Sequence, residues 1–198
     1  DVARGLRTRF TFDKAGQFAP IWAPNGGHLV FTSNRKGHFD LYQKASSGVG
    51  SEEVLLEDKV EKFPTSWSPD GQFILYTTIQ NVRPDSDLWV LPLSGDRKPF
   101  TFLKTQFNEN EGQFSPDGRL VAYMSAESGR NEVYVAPFPG PGEKWQISPG
   151  GGVNPRWRRD GDEIFYLSPD TKLMVAAVNG KGSSFEVGVV KPLFETRV

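Results

Sequence analysis

The chain has 198 residues, and its 23 Lys and Arg residues nearly balance its 24 Asp and Glu residues, giving a formal net charge of −1. Neither a basic stripe nor a long apolar stretch is present, so we expect no nucleic-acid partner and no direct membrane contact. Cysteine is absent, which excludes disulfides, thiolate zinc sites and a cysteine nucleophile.

In chain order, the first predicted element is an outer strand at residues 6–12, and four similar units follow it. The units span residues 17–60, 61–107, 108–150 and 151–198 of a single domain that covers residues 1–198. Each unit contains four short apolar segments separated by turns rich in Gly, Pro and Asp. The second segment is compact, as in 73–76, which is too short for a helix and typical of a strand buried on both faces. Four strands in roughly 45 residues predict an all-β fold built from antiparallel propeller blades.

Two aromatic positions repeat in one register along the chain. The first is occupied by Trp22, Trp67, Phe114 and Trp157, which are separated by 45, 47 and 43 residues. The second is occupied by Phe31, Tyr76, Tyr123 and Tyr166. Because the first set repeats so strictly, we expect it to pack between neighbouring blades, where each ring stabilises the fold by ~1.5–3 kcal/mol, and not to stack on a ligand.

A turn triplet follows each residue of the first aromatic set. The carboxylates in it are Asp70, Asp117 and Asp160. Asp can accept a hydrogen bond from the backbone two residues ahead, and the Gly after it supplies a positive φ. One such Asp per blade would be far from the others around a ring, so we interpret the three as turn residues and not as a metal or acid–base set.

The repeats resemble those of the TolB-like propeller family, whose blades carry a Trp-Ser-Pro-Asp-Gly hallmark. That motif stands at 67–71, and close variants stand at 22–26 and 114–118, whereas 158–161 reads Arg-Arg-Asp-Gly and departs from it. The resemblance implies a ring of about six blades, of which four lie in this chain. The segments 89–100 and 138–145 resemble, more narrowly, propellers attached to bacterial serine/threonine kinases such as those of acidobacteria, although no kinase residues are present.

Nothing in the sequence predicts catalysis, a metal or a cofactor. The two histidines, His28 and His38, have no nucleophile elbow or strand-turn-helix context near any serine. Carboxylates cluster at 108–111 and 85–87, and we interpret both clusters as solvated loops in preference to a cation site.

Binding is expected on the face where the chain enters each innermost strand and where the second strand turns into the third, because loops held by a rigid scaffold commonly carry function. The entry segments include Gln17 and Phe18, and the turns include Arg83, Asp85 and Asn131. The residues predicted to contact a protein or a small polar ligand are Arg35, Lys36, His38, Lys62, Phe63, Asn110, Glu111, Arg130 and Asn154.

The chain is therefore predicted to be a non-catalytic propeller that binds a protein or small ligand within a larger signalling protein. Two alternatives stay open: the gating propeller of a prolyl-oligopeptidase-type peptidase, and a periplasmic scaffold like TolB. An extracytoplasmic location is favoured, since a chain without cysteine suits an oxidising compartment. An open arc of four blades would favour self-association through its apolar end faces, whereas a closed ring would be monomeric.

Overall fold

The computed structural model describes residue 5 and residues 9–80, 86–140, 142–180 and 184–197. In this part of the chain it contains sixteen β-strands and no helix. The strands form four sheets, and within each sheet consecutive strands pair antiparallel in chain order. This architecture confirms the predicted all-β fold of four-stranded antiparallel blades.

The strands are numbered in chain order. Sheet 1 contains β1 (Gln17–Trp22), β2 (His28–Ser33), β3 (Asp40–Ala45) and β4 (Glu53–Leu56). Sheet 2 contains β5 (Glu61–Trp67), β6 (Phe73–Ile79), β7 (Ser86–Pro92) and β8 (Phe100–Leu103). Sheet 3 contains β9 (Glu109–Phe114), β10 (Leu120–Ser125), β11 (Glu132–Pro137) and β12 (Trp145–Gln146). Sheet 4 contains β13 (Val153–Trp157), β14 (Glu163–Leu167), β15 (Lys172–Asn179) and β16 (Glu186–Glu195).

Consecutive sheets pack face to face, and the inner strands β1, β5, β9 and β13 lie side by side. An apolar core fills each of the three spaces between sheets. In each of the two middle sheets the second strand contributes to the cores on both sides of it, because successive side chains of a strand point to opposite faces. In β6, for example, Tyr76 packs towards sheet 1 and Leu75 packs towards sheet 3.

The first repeated aromatic packs each sheet onto the one before it. Trp67, Phe114 and Trp157 all join the core that their sheet shares with the preceding sheet. Trp157 also donates a hydrogen bond through Nε1 to the carbonyl oxygen of Gln113, at 3.2 Å. Trp22 is 60% exposed, since none of the described residues forms a sheet before sheet 1.

The turns between first and second strands are closed by their Asp side chains. Asp70 Oδ1 accepts hydrogen bonds from Ser68 Oγ at 2.5 Å and from the backbone N of Gln72 at 3.0 Å, and Gly71 has a φ of 76°. Asp117 makes the same contact to Ser115 in sheet 3. In sheet 4, where the hallmark is degenerate, the hydrogen bond from Arg158 and the backbone N of Asp162 hold the pKa of Asp160 at about 2.

The outer strand expected at residues 6–12 is not formed by the described part of that segment. Residues 6–8 lie outside the described residues, and residues 9–12 belong to no strand. The segment lies instead against sheet 1, where the Nζ of the buried Lys44 donates to the carbonyl oxygen of Phe10 at 2.9 Å and lies 5.7 Å from the ring of Phe12. This part of the segment is thus held by a side chain of sheet 1 and not by strand pairing.

Candidate functional site

The entry segments and the turns between second and third strands lie together at one face of the molecule, called here the loop face. Backbone hydrogen bonds connect them within and between sheets. Lys62 N donates to Phe39 O at 2.8 Å across sheets 1 and 2, and Gly152 N donates to Asn131 O at 2.9 Å across sheets 3 and 4. The loop face is therefore a connected surface on which side chains of neighbouring sheets can contact the same ligand.

Each inner strand carries a bulge close to the loop face. In every sheet two residues of the inner strand stand opposite one residue of the second strand, and that single residue is always the second repeated aromatic. In three of the four bulges the first residue has a left-handed backbone: Ala19, Glu111 and Asn154, with φ of 49°, 57° and 56°. In sheet 2 the equivalent residue is Pro64, whose ring does not permit a positive φ.

Left-handed backbone at a residue other than glycine costs of order 1–3 kcal/mol, and such residues cluster at functional sites. Glu111 and Asn154 also contact each other, because Glu111 Oε2 accepts a hydrogen bond from Asn154 N at 2.5 Å. The Oδ1 atom of Asn110, next to Glu111, is buried and has no hydrogen-bond partner. Sheets 3 and 4 thus contribute a polar region to the loop face.

Sheets 1 and 2 contribute an aromatic region. The rings of Phe18 and Phe39 are 5.6 Å apart in an edge-to-face arrangement, and those of Phe39 and Phe63 are 5.4 Å apart. Phe18 is exposed and the other two rings are half-buried. Glu61 holds the turn in place, since its Oε2 accepts a hydrogen bond from Phe39 N at 2.6 Å and its Oε1 lies 3.6 Å from Nδ1 of the exposed His38.

Two predicted contact residues are occupied by internal contacts. Arg35 lies over the ring of Tyr42, 4.3 Å from its centroid, and forms an ion pair with Glu52. Lys62 is 1% exposed, and its Nζ lies 2.8 Å from Oδ1 of Asp40 and 2.8 Å from Oδ1 of Asp58. Neither cation is available to a ligand while these pairs persist.

Two other charged residues that were predicted to contact a ligand, Lys36 and Arg130, lie at the surface, where each forms an ion pair. Lys36 pairs with Glu57 at 2.7 Å, and half of its side chain is exposed. Arg130 lies 2.7 Å from Glu132 and donates to Pro149 O at 3.0 Å. Arg83 and Asp85 lie outside the described residues.

Sequence reasoning missed Phe39, which joins the aromatic region together. Its signal was an apolar residue in an otherwise polar turn, directly before a third strand.

Asp87 is 4% exposed and Glu109 is 1% exposed, so the interpretation of these two residues as parts of solvated loops is wrong. Among the described residues no group of three or more His, Cys, Asp and Glu side chains is arranged to hold a metal ion. In the same part of the chain, no helix has the length and apolar character needed to cross a membrane.

Four antiparallel sheets that pack in sequence around adjacent inner strands define the chain as a β-propeller protein. No protein-family model matches it. It is 31% identical over 123 residues to the Tol-Pal system protein TolB of Anaeromyxobacter dehalogenans, a match that covers 62% of this chain and 27% of that relative. In fold it is similar to the crystal structure of TolB from Acinetobacter baumannii, with a TM-score of 0.74 and 20% identity over 96% of this chain and 46% of that one. The chain thus has a β-propeller fold similar to that of TolB, as its repeats predicted.

A second kind of relative is also similar. The chain is 30% identical over 96 residues to tricorn protease homolog 1 of Streptomyces coelicolor, which covers 47% of this chain and 8% of that protein. The chain thus spans only a small part of these two curated relatives. Its narrower resemblance to propellers attached to kinases stays a prediction.

Proposed function

We propose that the chain is a non-catalytic binding module whose loop face receives a segment of a partner protein. One observation carries this proposal: the left-handed bulges of Glu111 and Asn154 and the aromatic region of Phe18, Phe39 and Phe63 lie at the same end of adjacent inner strands. Aromatic rings provide contact area at a small entropic cost, and the carboxylate of Glu111 can accept hydrogen bonds from the N–H groups of a peptide. A small polar ligand would use the same acceptors.

Site-specific photo-crosslinking tests the binding face. A benzophenone amino acid is placed at Phe63 on the loop face or, as a matched control, at the exposed Val49 on the opposite end of sheet 1. Irradiation in a periplasmic extract of the source organism is expected to crosslink a protein to position 63 and not to position 49. Equal crosslinking at both positions, or none at position 63 while the protein stays folded, would contradict the proposal.

The TolB-like relatives support a docking scaffold outside the cytoplasm as the setting of this module. The A. dehalogenans relative is named for the Tol-Pal system, and the absence of cysteine suits an oxidising compartment. A sensory role within a larger signalling protein is the more specific form of the same proposal. Fractionation of cells that produce the full-length protein tests the location, and recovery in the cytoplasmic fraction would contradict it.

A peptidase-associated propeller is the second candidate function, because the chain is similar to part of a tricorn protease homolog. In that role the loop face would admit peptides to a separate hydrolase and would bind them only weakly. A hydrolase region encoded in the same gene would favour this candidate, and a winged-helix or kinase region would favour the signalling module.

Self-association is a further part of the proposal. Trp22 on sheet 1 and Val189, Leu193 and Phe194 on sheet 4 are exposed apolar side chains, and such patches favour association. Light scattering on the purified chain is expected to give a mass above that of the monomer. The Trp22→Ser variant is expected to shift the mass towards the monomer, and a purely monomeric wild type would contradict this part.

A further inference from the structure

The space between sheets 3 and 4 receives less from the outer strand of the preceding sheet than the space between sheets 2 and 3 does. Between sheets 2 and 3, the four-residue strand β8 places Phe100, Phe102 and Leu103 against the core. Between sheets 3 and 4, the outer strand β12 has only two residues. The ring of Trp145 in β12 lies 4.9 Å from that of Phe185, at the end of sheet 4 that is remote from the loop face. The end near the loop face is therefore less filled.

A cavity of about 400 Å³ lies at that end, between sheet 4 and the segment that leaves sheet 3. Its volume is in the range of small-ligand pockets. Pro149 in its lining belongs to the segment that enters sheet 4, and Pro169 belongs to the turn between the second and third strands of that sheet, so the cavity is part of the loop face. Most of the lining is apolar: Pro149, Tyr166, Pro169, Met174, Val190 and Pro192.

Three consecutive glycines lie beside the cavity, and the fold requires only two of them. A Cβ would lie 2.5 Å from Cγ of Pro169 at Gly151 and 2.7 Å from Cβ of Ser148 at Gly152. Gly150 has no left-handed φ, and a Cβ there would have no heavy atom within 4 Å beyond its chain neighbours. Since neither backbone nor packing requires glycine at 150, its effect is to keep the rim of the cavity free of a side chain.

The turn that forms one wall of the cavity is held in a strained conformation. Thr171 has a φ of 59°, which is an outlier for a β-branched residue, and such strain collects at functional sites. Its carbonyl oxygen accepts hydrogen bonds from the backbone N of Thr196 at 2.8 Å and from Thr196 Oγ1 at 2.6 Å. Its own N donates to Ser168 O at 3.0 Å. The wall is thus formed without a ligand, which lowers the entropic cost of binding one.

The charged residues that line the cavity, Asp170 and Lys172, compensate each other. Lys172 Nζ lies 2.7 Å from Oδ2 of Asp170. Hydrogen bonds from Lys172 and Ser168 hold the pKa of Asp170 below its ordinary value, so the carboxylate stays ionised beside the ammonium group. Because the two charges are paired, the cavity favours a neutral apolar group over an ion.

We propose that this cavity receives an aromatic side chain of the partner segment that the loop face binds. The thioether of Met174 and the ring of Tyr166 are the groups that favour an aromatic occupant, because sulfur and aromatic edges both make favourable contacts with a ring. Buried aromatic anchors commonly supply much of the energy of an interface. The inference rests on the proposed function, since the side chain belongs to the partner, and a free aromatic probe allows the two to fail separately.

The two methionines of the chain report occupancy of the cavity. Met174 lines it, whereas Met124 is 6% exposed within sheet 3 and is the internal control. The methionine methyl groups are isotopically labelled, and the chain is titrated with N-acetyltryptophanamide in NMR. An aromatic ring shifts the resonance of a methyl group beside it, so we expect the Met174 signal to move to saturation with a Kd on the order of 1 mM while the Met124 signal stays in place. N-acetylleucinamide is expected to bind roughly 3- to 10-fold more weakly.

A Met174 signal that stays in place, or that moves only together with the Met124 signal, overturns the proposal. Equal affinity for N-acetylleucinamide overturns the aromatic assignment. Gly150→Leu places a side chain on the rim and is expected to lose the Met174 response with the Met124 signal unchanged, which shows that the fold is intact. Gln106→Leu adds the same side chain at an exposed position between sheets 2 and 3 and is expected to keep the response. A response kept by Gly150→Leu, or lost equally by Gln106→Leu, overturns the location.

Crosslinking from position 63 connects the cavity to the partner. Gly150→Leu is expected to reduce the yield of that crosslink, and Gln106→Leu is expected to leave it unchanged. An undiminished yield in Gly150→Leu overturns the assignment of the side chain to the partner, although the loop-face function stands. A wild-type chain without the crosslink overturns the loop-face function and this assignment together, whereas a missing Met174 response with the crosslink retained overturns the cavity proposal alone.

Discussion

The buried ion pair of Lys62 and Asp40 offers the most direct test of how sheets 1 and 2 are joined. Lys62 Nζ contacts Oδ1 of Asp40 and Oδ1 of Asp58, each at 2.8 Å, and also donates to the carbonyl oxygen of Val60 at 2.5 Å. The perturbation is Lys62→Met, which keeps the length of the side chain and removes its charge. After the substitution Asp40 Oδ1 retains only the hydrogen bond from Asp58 N, at 3.2 Å.

The expected loss follows from the uncompensated charge that remains. Removing one partner of a buried ion pair costs about 3–5 kcal/mol, and methionine fills nearly the same volume, so we expect Lys62→Met to lose about 3–4 kcal/mol. Adding Asp40→Asn removes the stranded charge while an oxygen at that position can still accept from Asp58 N. The double variant should therefore lose only about 1–2 kcal/mol, so the coupling is about 2 kcal/mol plus the loss that Asp40→Asn causes alone.

Urea unfolding measured by tryptophan fluorescence is the assay. With a slope of about 2 kcal/mol per molar, the expected loss shifts the midpoint of Lys62→Met by roughly 1.5–2 M. Lys36→Met is the matched control, because Lys36 has an equally short ion pair to Glu57 but a half-exposed side chain, and its midpoint is expected to stay unchanged. A midpoint shift of Lys62→Met no larger than that of the control, or losses that simply add in the double variant, would refute the reasoning.

Three further predictions concern packing and pH. Phe114→Ala removes a ring that is 7% exposed, so its free energy of unfolding in urea should fall by about 3–5 kcal/mol. Trp22→Ala should lower it by less than about 1 kcal/mol, because that ring is exposed. Equal losses would contradict the packing described for the repeated aromatics. Gly112→Ala should lower the Tm, because a Cβ there would lie 2.5 Å from Cδ2 of Leu75, and an overpacked core loses about 1–3 kcal/mol. Burial raises the pKa of Glu109, so its protonated form stabilises the fold at low pH and this contribution is lost as pH rises through the folded-state pKa. Glu109→Gln should therefore be more stable than the wild type at neutral pH by an amount that shrinks towards pH 4, and a difference independent of pH would contradict this.

The sheets and their packing were predictable because they rest on local and periodic features. The repeated aromatics define the register of the four units, and a compact run such as 73–76 leaves no polar face for solvent, so both faces had to be covered. The bulges were not predictable in the same way. Nothing in the local sequence distinguishes Ala19 or Glu111 as left-handed, since neither residue type favours that conformation, and the constraint comes from pairing with Phe31 or Tyr123.

That the entry segments and the turns between second and third strands share one face was predictable, whereas the candidate site on that face stays a prediction. Its individual residues depend on partners that are distant in the sequence. Arg35 reads as an exposed turn cation, yet its partner Glu52 is 17 residues away and becomes a neighbour only when β4 pairs with β3. Lys62 reads as a polar entry residue, and its partner Asp40 is 22 residues away in another sheet. Charge alone could not separate a ligand-binding cation from one that joins two sheets.

Internal repeats supply the comparison that a single unit cannot. Where four copies share a residue, as at the first aromatic position, the shared requirement is packing between sheets. Where they differ at one entry position, packing cannot be the requirement, because Gln17, Lys62, Glu109 and Gly152 differ in volume and charge while the inner strands pair in the same register. What differs is the group that each residue faces: Gln17 Oε1 accepts a hydrogen bond from Thr11 of the segment before sheet 1, and Lys62 faces an acid. Glu109 also lies near an acid, Asp87, but that acid takes its cation from Lys104, at 3.5 Å, and not from the entry position.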